Sequence, residues 1–286
     1  MKHCVKKNFI QERFKMARIG NYDVLKQIGE GGFGRVFQAE HVYLGEKACL
    51  KQNMRASRID EDLLRYESKL LWKLDEHHSI PAVKDFFEVG KNSAVMVMSY
   101  IDGRTLEEVV EKKGPVHPED ACWITERLLG ALYYSHCNGV IHSDVKPENV
   151  FVEPSKHDIK LIDFGIASYK PKGSSKSLGY TPKYAAPELT QGKPPIPESD
   201  IYGAGIVMLR ALGGDVLKRE FRSDTPEQVV EFCQGMLRYN PSERSSWEKN
   251  NPLEKISDLR LEVFGRRHLS DKVGKAMLKS MKGGDA

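Results

Sequence analysis

Val140-Ile141-His142-Ser143-Asp144-Val145-Lys146-Pro147-Glu148-Asn149-Val150-Phe151-Val152 is followed, 19 residues after Asp144, by Asp163-Phe164-Gly165. The order places a candidate base, Asp144, ahead of a cation, Lys146, and an amide, Asn149, with a second carboxylate, Asp163, beyond them. Phosphoryl transfer needs one group to orient the attacking hydroxyl and others to hold Mg²⁺ against the phosphates. Each piece is weak alone, but in this order they decide the reading.

Upstream, Gly29-Glu30-Gly31-Gly32-Phe33-Gly34-Arg35-Val36 is a GxGxxG pattern between two candidate strands. Glycines let a backbone approach phosphates with no side chain in the way. Dinucleotide folds use the same pattern, but there a helix follows; here β-type residues follow. A plain glycine-rich hairpin stays open. Ala48-Cys49-Leu50-Lys51 ends a third strand and aims a cation into a cleft, where a carboxylate would have to orient it. Glu67, in Arg65-Tyr66-Glu67-Ser68-Lys69-Leu70-Leu71, is the candidate, against the plain alternative of two surface charges.

The 286 residues suffice for one large domain or two lobes with real cores. Hydrophobic residues at 40% and charged residues at 29% fit an ordinary globular protein. The net charge of +4 is uneven: residues 1–20 carry about +5 and residues 247–286 carry +3, leaving about −4 between them. Such ends suit an acidic partner or surface, or are simply solvated; no specific nucleic-acid site is evident. Five cysteines, odd in number and without CxxC spacing, argue against a disulfide framework or zinc site and for a reducing, cytoplasmic setting. No apolar run reaches 18 residues, and the start lacks a signal peptide's apolar core.

Strands are predicted over Tyr22–Ile28, Arg35–His41, Lys47–Gln52, Val83–Glu88 and Ala94–Ser99. A helix is expected over residues 59–74, opened by Ser57 and Asp60 and carrying Leu63, Leu64, Leu70, Leu71 and Leu74 on one face. After residue 100 helices dominate: Leu106–Lys112, Pro118–Cys137 and Glu198–Leu212, the last with Gly203, Ala204 and Gly205 for close packing. Another opens at Thr225-Pro226-Glu227-Gln228 with Thr225 as cap. A short hairpin is expected over residues 150–152 and 159–162, and a loop over residues 163–188.

With these motifs in place, the chain resembles a eukaryotic-type (Hanks-type) serine/threonine protein kinase catalytic domain from about Tyr22 to Arg244. The resemblance implies an α+β, bilobal fold. It divides the chain into a basic N-terminal extension (1–21), a strand-rich small lobe (22–98), a hinge (99–101), a helical large lobe (102–246) and a basic helical extension (247–286). It implies ATP and Mg²⁺ as cofactors and a protein substrate with a Ser or Thr acceptor.

Residue by residue, Ile28, Gly29, Gly31 and Gly34 would cover the nucleotide. Val36, Ala48 and Phe151 would sandwich adenine, with Met98 as gatekeeper and Tyr100 in the hinge. Lys51, oriented by Glu67, would hold phosphates. Asp144 would orient the substrate hydroxyl, Lys146 would neutralise the transferring phosphate, and Asn149 and Asp163 would hold magnesium. Thr181, in Gly179-Tyr180-Thr181-Pro182-Lys183-Tyr184-Ala185-Ala186-Pro187-Glu188, would bond Asp144 and Lys146 and mark Ser/Thr specificity. Glu188 would pair with Arg244. His136 and His142 would be structural, His142 stacking with Phe164 and Leu71 in a spine anchored by Asp200.

Three departures stand out. Ser143 replaces the Arg that binds an activation-loop phosphate in the family, so activity is expected not to need phosphorylation at Ser174, Ser175 or Ser177 by that route. The stretch from Asp200 to Arg244 is short, with Asp215–Asp224 in place of a docking helix. Thr105 stands where an acid often selects basic peptides, while Glu148 leaves a weak basic preference open. Leu253–Phe264 looks helical and Lys272–Lys282 amphipathic. A small-molecule phosphotransferase of related fold is disfavoured by Lys146 and the Thr181 segment. A non-catalytic scaffold is disfavoured by the complete set Lys51, Glu67, Asp144, Asn149 and Asp163. Oligomeric state stays open.

Overall fold

A computed structural model describes residues 17–32 and 34–266. They fall into two units, one running to Leu64 and including Lys84–Tyr100, the other comprising Arg65–Val83 and the chain from Ile101.

The first unit is built on a six-stranded sheet of strands β1 (Ala17–Ile19), β2 (Tyr22–Gly31), β3 (Gly34–His41), β4 (Lys47–Gln52), β5 (Val83–Gly90) and β6 (Ser93–Ser99), in the order β1-β2-β3-β4-β6-β5. Alternate residues turn inward, as the period of a strand requires. Tyr22, Val24, Phe37, Ala39, Ala48, Leu50, Val95 and Val97 thus form one core. Ala17–Ile19, which the sequence reading placed in the N-terminal extension, pairs antiparallel with Tyr22–Val24. Register shifts along β2 at Val24/Lys26 and Gln27/Gly29 bend the hairpin that carries the glycines. Gly34 is fixed by packing, because a Cβ there would overlap the Gln52 carbonyl.

Helix α1 (Arg58–Lys73) begins as expected, with Ser57 Oγ accepting from the Asp60 amide at 3.1 Å. Leu64, Leu70, Leu71 and, just past its end, Leu74 are buried.

In the second unit, β7 (Arg104–Thr105) leads into α2 (Leu106–Lys113). Thr105 caps α2 in a full capping box with Glu108, at 3.1 and 3.2 Å. Helix α3 (Pro118–Cys137) is the central post; Ala121, Cys122, Ile124, Leu128, Leu129, Ala131 and Leu132 are fully buried along it. The short strands β8 (Val140–Ile141), β9 (Val150–Glu153), β10 (Asp158–Leu161) and β11 (Ser168–Tyr169) follow, β9 lying between β10 and β7, and β8 pairing with β11. Then come α4 (Pro187–Thr190), α5 (Pro197–Ala211), α6 (Glu227–Met236) and α7 (Pro252–Phe264).

Helix α5 is almost wholly buried. A Cβ on Gly203 would come within 2.6 Å of Val145 Cβ, so only glycine lets α5 approach the loop after β8 this closely. Helix α6 departs from the expected Thr225 cap. It starts from Pro226, whose carbonyl accepts from both Val229 and Val230 at 3.0 Å, and no side chain caps it. Helix α7 is capped by Asn251 Oδ1 on the Leu253 amide at 3.0 Å and clasped to α3 through Arg260–Glu126 and Arg266–Glu119. The amphipathic stretch Lys272–Lys282 lies outside the described residues. Among the described residues, no helix is long and apolar enough to cross a membrane.

Candidate active site

Asp200, near the start of α5 and 1% exposed, organises the loop after β8. Its Oδ2 accepts from the His142 amide at 2.7 Å and from His136 Nε2 at 2.8 Å, and its Oδ1 accepts from the Ser143 amide at 2.8 Å. The indole N–H of Trp247 donates to His136 Nδ1 at 2.7 Å. His136 therefore carries its proton on Nε2 and is the donor to Asp200. His142 follows the same logic: Nδ1 accepts from the Asp144 amide at 3.2 Å, and Nε2 donates to the Ile162 carbonyl at 3.0 Å. Its ring meets Phe164 edge-on at 4.6 Å.

Two non-glycine residues here, Ser143 (φ +69°) and Asp163 (φ +65°), are left-handed. Such residues cost on the order of 1–3 kcal/mol each and persist where the surroundings over-determine them. At Ser143 the Asp200 hydrogen bonds do so.

Asp144 sits in a closed ring of donors. Oδ1 accepts from Thr181 Oγ1 at 2.7 Å and from the Thr181 amide at 3.2 Å. Oδ2 accepts from Lys146 Nζ at 2.6 Å, and Lys146 also donates to Thr181 Oγ1 at 2.9 Å. Asn149 Nδ2 donates to the Asp144 carbonyl at 2.9 Å, which keeps its amide oxygen available as an acceptor or ligand. The structure thus brings Asp144, Lys146, Asn149 and Thr181 into one network. Three further candidates lie in the same unit: Asp163 just past β10, Phe151 on β9 opposite Lys160 and Thr105, and Glu67, buried on α1.

The remaining candidates belong to the first unit. Ile28, Gly29 and Gly31 are on β2, Gly34 and Val36 on β3, Ala48 and Lys51 on β4, Met98 on β6, with Tyr100 just past it. Lys51 is buried, and β4 pairs with β6 so that Cys49 faces Met98 and Lys51 faces Met96. At Gly31 a Cβ would meet nothing within 4 Å. Among the described residues no contact demands glycine there, and the bare backbone suits approach by a bulky ligand.

Below the ring, Arg244 Nη1 and Nη2 grip Glu188 Oε1 and Oε2 at 2.8 and 3.1 Å, with both side chains buried. Arg244 also donates to the carbonyls of Glu198 and Arg238, and Ser199 Oγ donates to Glu188 at 2.7 Å. Burial would raise the Glu188 pKa, but the hydrogen bonds and charge of Arg244 outweigh it and hold the carboxyl below its ordinary value.

Two partners escaped the sequence reading. Trp247 belongs to no motif and reaches His136 across 111 residues. Tyr184 donates its hydroxyl to Glu148 at 2.7 Å, and burial followed by that bond raises its pKa. The sequence offers Glu148 only as a residue that leaves a weak basic preference open; the tyrosine four residues before Glu188 is the signal for its partner.

A family model described as the protein kinase domain matches residues 22–223. Serine/threonine-protein kinase PrkC of Bacillus subtilis is 31% identical over 208 residues, covering 69% of this chain and 31% of that protein. Serine/threonine-protein kinase pkn2 of Myxococcus xanthus is 33% identical over 206 residues (68% and 24%), and serine/threonine-protein kinase TIO of Arabidopsis thaliana is 30% identical over 249 residues (80% and 18%). The chain spans a third or less of the length of these relatives. With the catalytic loop, the Asp163-Phe164-Gly165 turn and the Glu188–Arg244 pair set on an α+β scaffold, the chain belongs to the protein kinase domain family.

Proposed function

We propose that the chain is a serine/threonine protein kinase that uses Mg-ATP. The observation that carries this reading is the closed Asp144–Lys146–Thr181 ring, with Asn149 beside it. Bound Mg-ATP supplies the transferable phosphoryl group and the metal charge that offsets its oxygens. Asp144 receives and orients the Ser or Thr hydroxyl, the proton of which passes to a carboxylate oxygen. Thr181 and Lys146 fix that carboxylate in one orientation before substrate arrives, and Lys146 adds positive charge where negative charge develops. Asn149 and Asp163 offer hard oxygen donors, which suit magnesium. The bare backbone at Gly31 and the buried Lys51 fit a polyphosphate, and Lys51 and Glu67 keep the roles the resemblance gives them.

The lobes at 22–98 and 102–246, joined at 99–101, are proposed as the working domain. Among the described residues, Cys122, Cys137 and Cys233 are not joined in disulfides, which supports a reducing, cytoplasmic setting.

Control of this kinase does not run through an arginine before Asp144. Ser143 occupies that place, is buried, and has its amide held by Asp200. Replacing Ser174, Ser175 and Ser177 together by alanine leaves activity in place; abolished activity would refute this.

The decisive experiment is transfer of labelled γ-phosphate from Mg-ATP to the protein itself and to generic acceptor proteins. Phosphoserine or phosphothreonine is expected, and Asp144→Asn should lower the rate by roughly 10²–10⁴. ATP binding with no transfer to any protein would overturn the reading in favour of a scaffold or a small-molecule kinase.

A further inference from the structure

Away from Asp144, within the second unit, α3, α7, the loop after α1 and the β9–β10 turn enclose a cavity of about 380 Å³. That volume lies in the range of small-ligand sites, roughly 300–1,000 Å³. What distinguishes its wall is an excess of hydrogen-bond donors over acceptors.

Arg260, 1% exposed, gives Nη1 to Glu126, while its Nε and Nη2 have no acceptor among the described residues. The indole N–H of Trp123, 3% exposed, also has none among them; the ring itself is stacked flat on His157 at 4.5 Å. Arg127, one helical turn from Trp123, has no ion-pair partner among the described residues. His77 Nδ1 accepts from the Ser79 amide at 3.1 Å, so the neutral ring carries its proton on Nε2, beside Gly130. Burial, then the adjoining His78, lowers the His77 pKa to about 4, and the charges of Lys160 and Arg127 push in the same direction.

The carboxylates nearby are already committed. Glu126 serves Arg260, and Asp158 bonds His78 and Ser79 Oγ at 3.1 Å each. A buried donor without an acceptor costs about 1–3 kcal/mol, and more when it is charged. Such deficits in a native structure call for a missing partner. Guanidinium forks match the oxygens of phosphate and carboxylate groups.

We propose that this cavity is a second binding site, for the oxyanion of a small phosphate monoester, held by Arg127 and Arg260 with Trp123 and His77 as neutral donors. Two sources share that chemistry, a free phosphorylated metabolite and a phosphorylated side chain of a peptide.

The test is calorimetric titration of the full chain with inorganic phosphate, glycerol phosphate and a phosphoserine peptide. A saturating non-hydrolysable ATP analogue with magnesium is present throughout to occupy the nucleotide site. Binding is expected to persist under these conditions and to weaken about tenfold or more, ~1.4 kcal/mol, in Arg127→Ala. Gly130→Leu fills the cavity from its floor and should abolish binding. Gly130→Ala should retain it, because the added Cβ only reaches ordinary contact with His77 Nε2 at 3.9 Å. Binding of glycerol phosphate points to a metabolite, and binding of the peptide in preference to it points to a phosphorylated side chain.

No binding under these conditions, or equal affinity in native protein, Arg127→Ala and Gly130→Leu, would each overturn the proposal. Melting curves of the variants confirm folding. Because no step measures phosphotransfer, the result is independent of the proposed kinase activity.

Discussion

Replacing Arg244 by methionine tests how the second unit is held together. The guanidinium is 1% exposed and donates to both oxygens of Glu188 and to the carbonyls of Glu198, Arg238 and Tyr239. Methionine keeps the bulk and removes every one of these donors. Glu188, 3% exposed, then retains only Ser199 Oγ among its side-chain partners. Removing one member of a buried ion pair costs about 3–5 kcal/mol, because a charge is left buried without compensation. In a unit of this size that corresponds to a fall in Tm of roughly 10 °C.

The pH dependence supplies a second check. In the native protein the Glu188 pKa lies below the usual 4.5, so the stability it contributes is present above pH 4.5 and is lost as pH falls through the folded-state value. In Arg244→Met burial acts unopposed and raises that pKa, so the variant gains relative stability on acidification. Urea unfolding between neutral pH and pH 4 should therefore show a gap between native and variant that narrows with acid. Glu188→Gln added to Arg244→Met should recover part of the loss. A gap below about 1 kcal/mol at neutral pH, or one that does not change with pH, would refute this account of the pair.

Asp200→Asn leaves one acceptor oxygen and an NH₂ group facing three donors, so both the catalytic loop and the fold should suffer, by about 2–4 kcal/mol in chemical denaturation. Gly203→Ala forces a methyl to within 2.6 Å of Val145 Cβ; phosphotransfer is expected to fall more than ATP affinity, measured by comparing kcat with nucleotide binding. His77→Gln should flatten the stability profile on the acid side. Because the folded His77 pKa is lowered to about 4, the unfolded chain takes up a proton as pH falls from the usual 6.5, and native stability declines across that window.

The parts of this fold that the sequence made legible are those with a local physical cause. Runs of β-type residues broken by glycines mark β2 to β6 of the first unit, and the Ser57 cap and leucine face mark α1 almost to the residue. The Asp144–Lys146–Thr181 ring was legible because its members occupy fixed offsets around one turn, with Thr181 supplied by a recognisable segment. The rest depends on distant partners. Strands β7, β8 and β11 are two residues long, and only pairing across the chain makes them strands. Ala17–Ile19 became a strand because β2 offered an edge. Thr225 looked like a cap, yet the Pro226 carbonyl takes the first helical bonds. The left-handed Ser143 and Asp163 carry no glycine to announce them. The donor-rich cavity is assembled from four separate segments, none of which has a pattern of its own.

The link from Trp247 through His136 to Asp200 sets the length of the smallest portable piece of this protein. The family match closes at residue 223, but the carboxylate that holds the His142 and Ser143 amides is braced by a side chain 24 positions further along. Tolerance to trimming follows buried hydrogen bonds rather than sequence boundaries. A transplant cut at the family boundary would carry every side chain proposed for catalysis and still leave behind Arg244, Trp247 and α7. To move the catalytic loop in its native setting, the excised segment has to run beyond Trp247 and, to keep the clasp on α3, as far as Arg266.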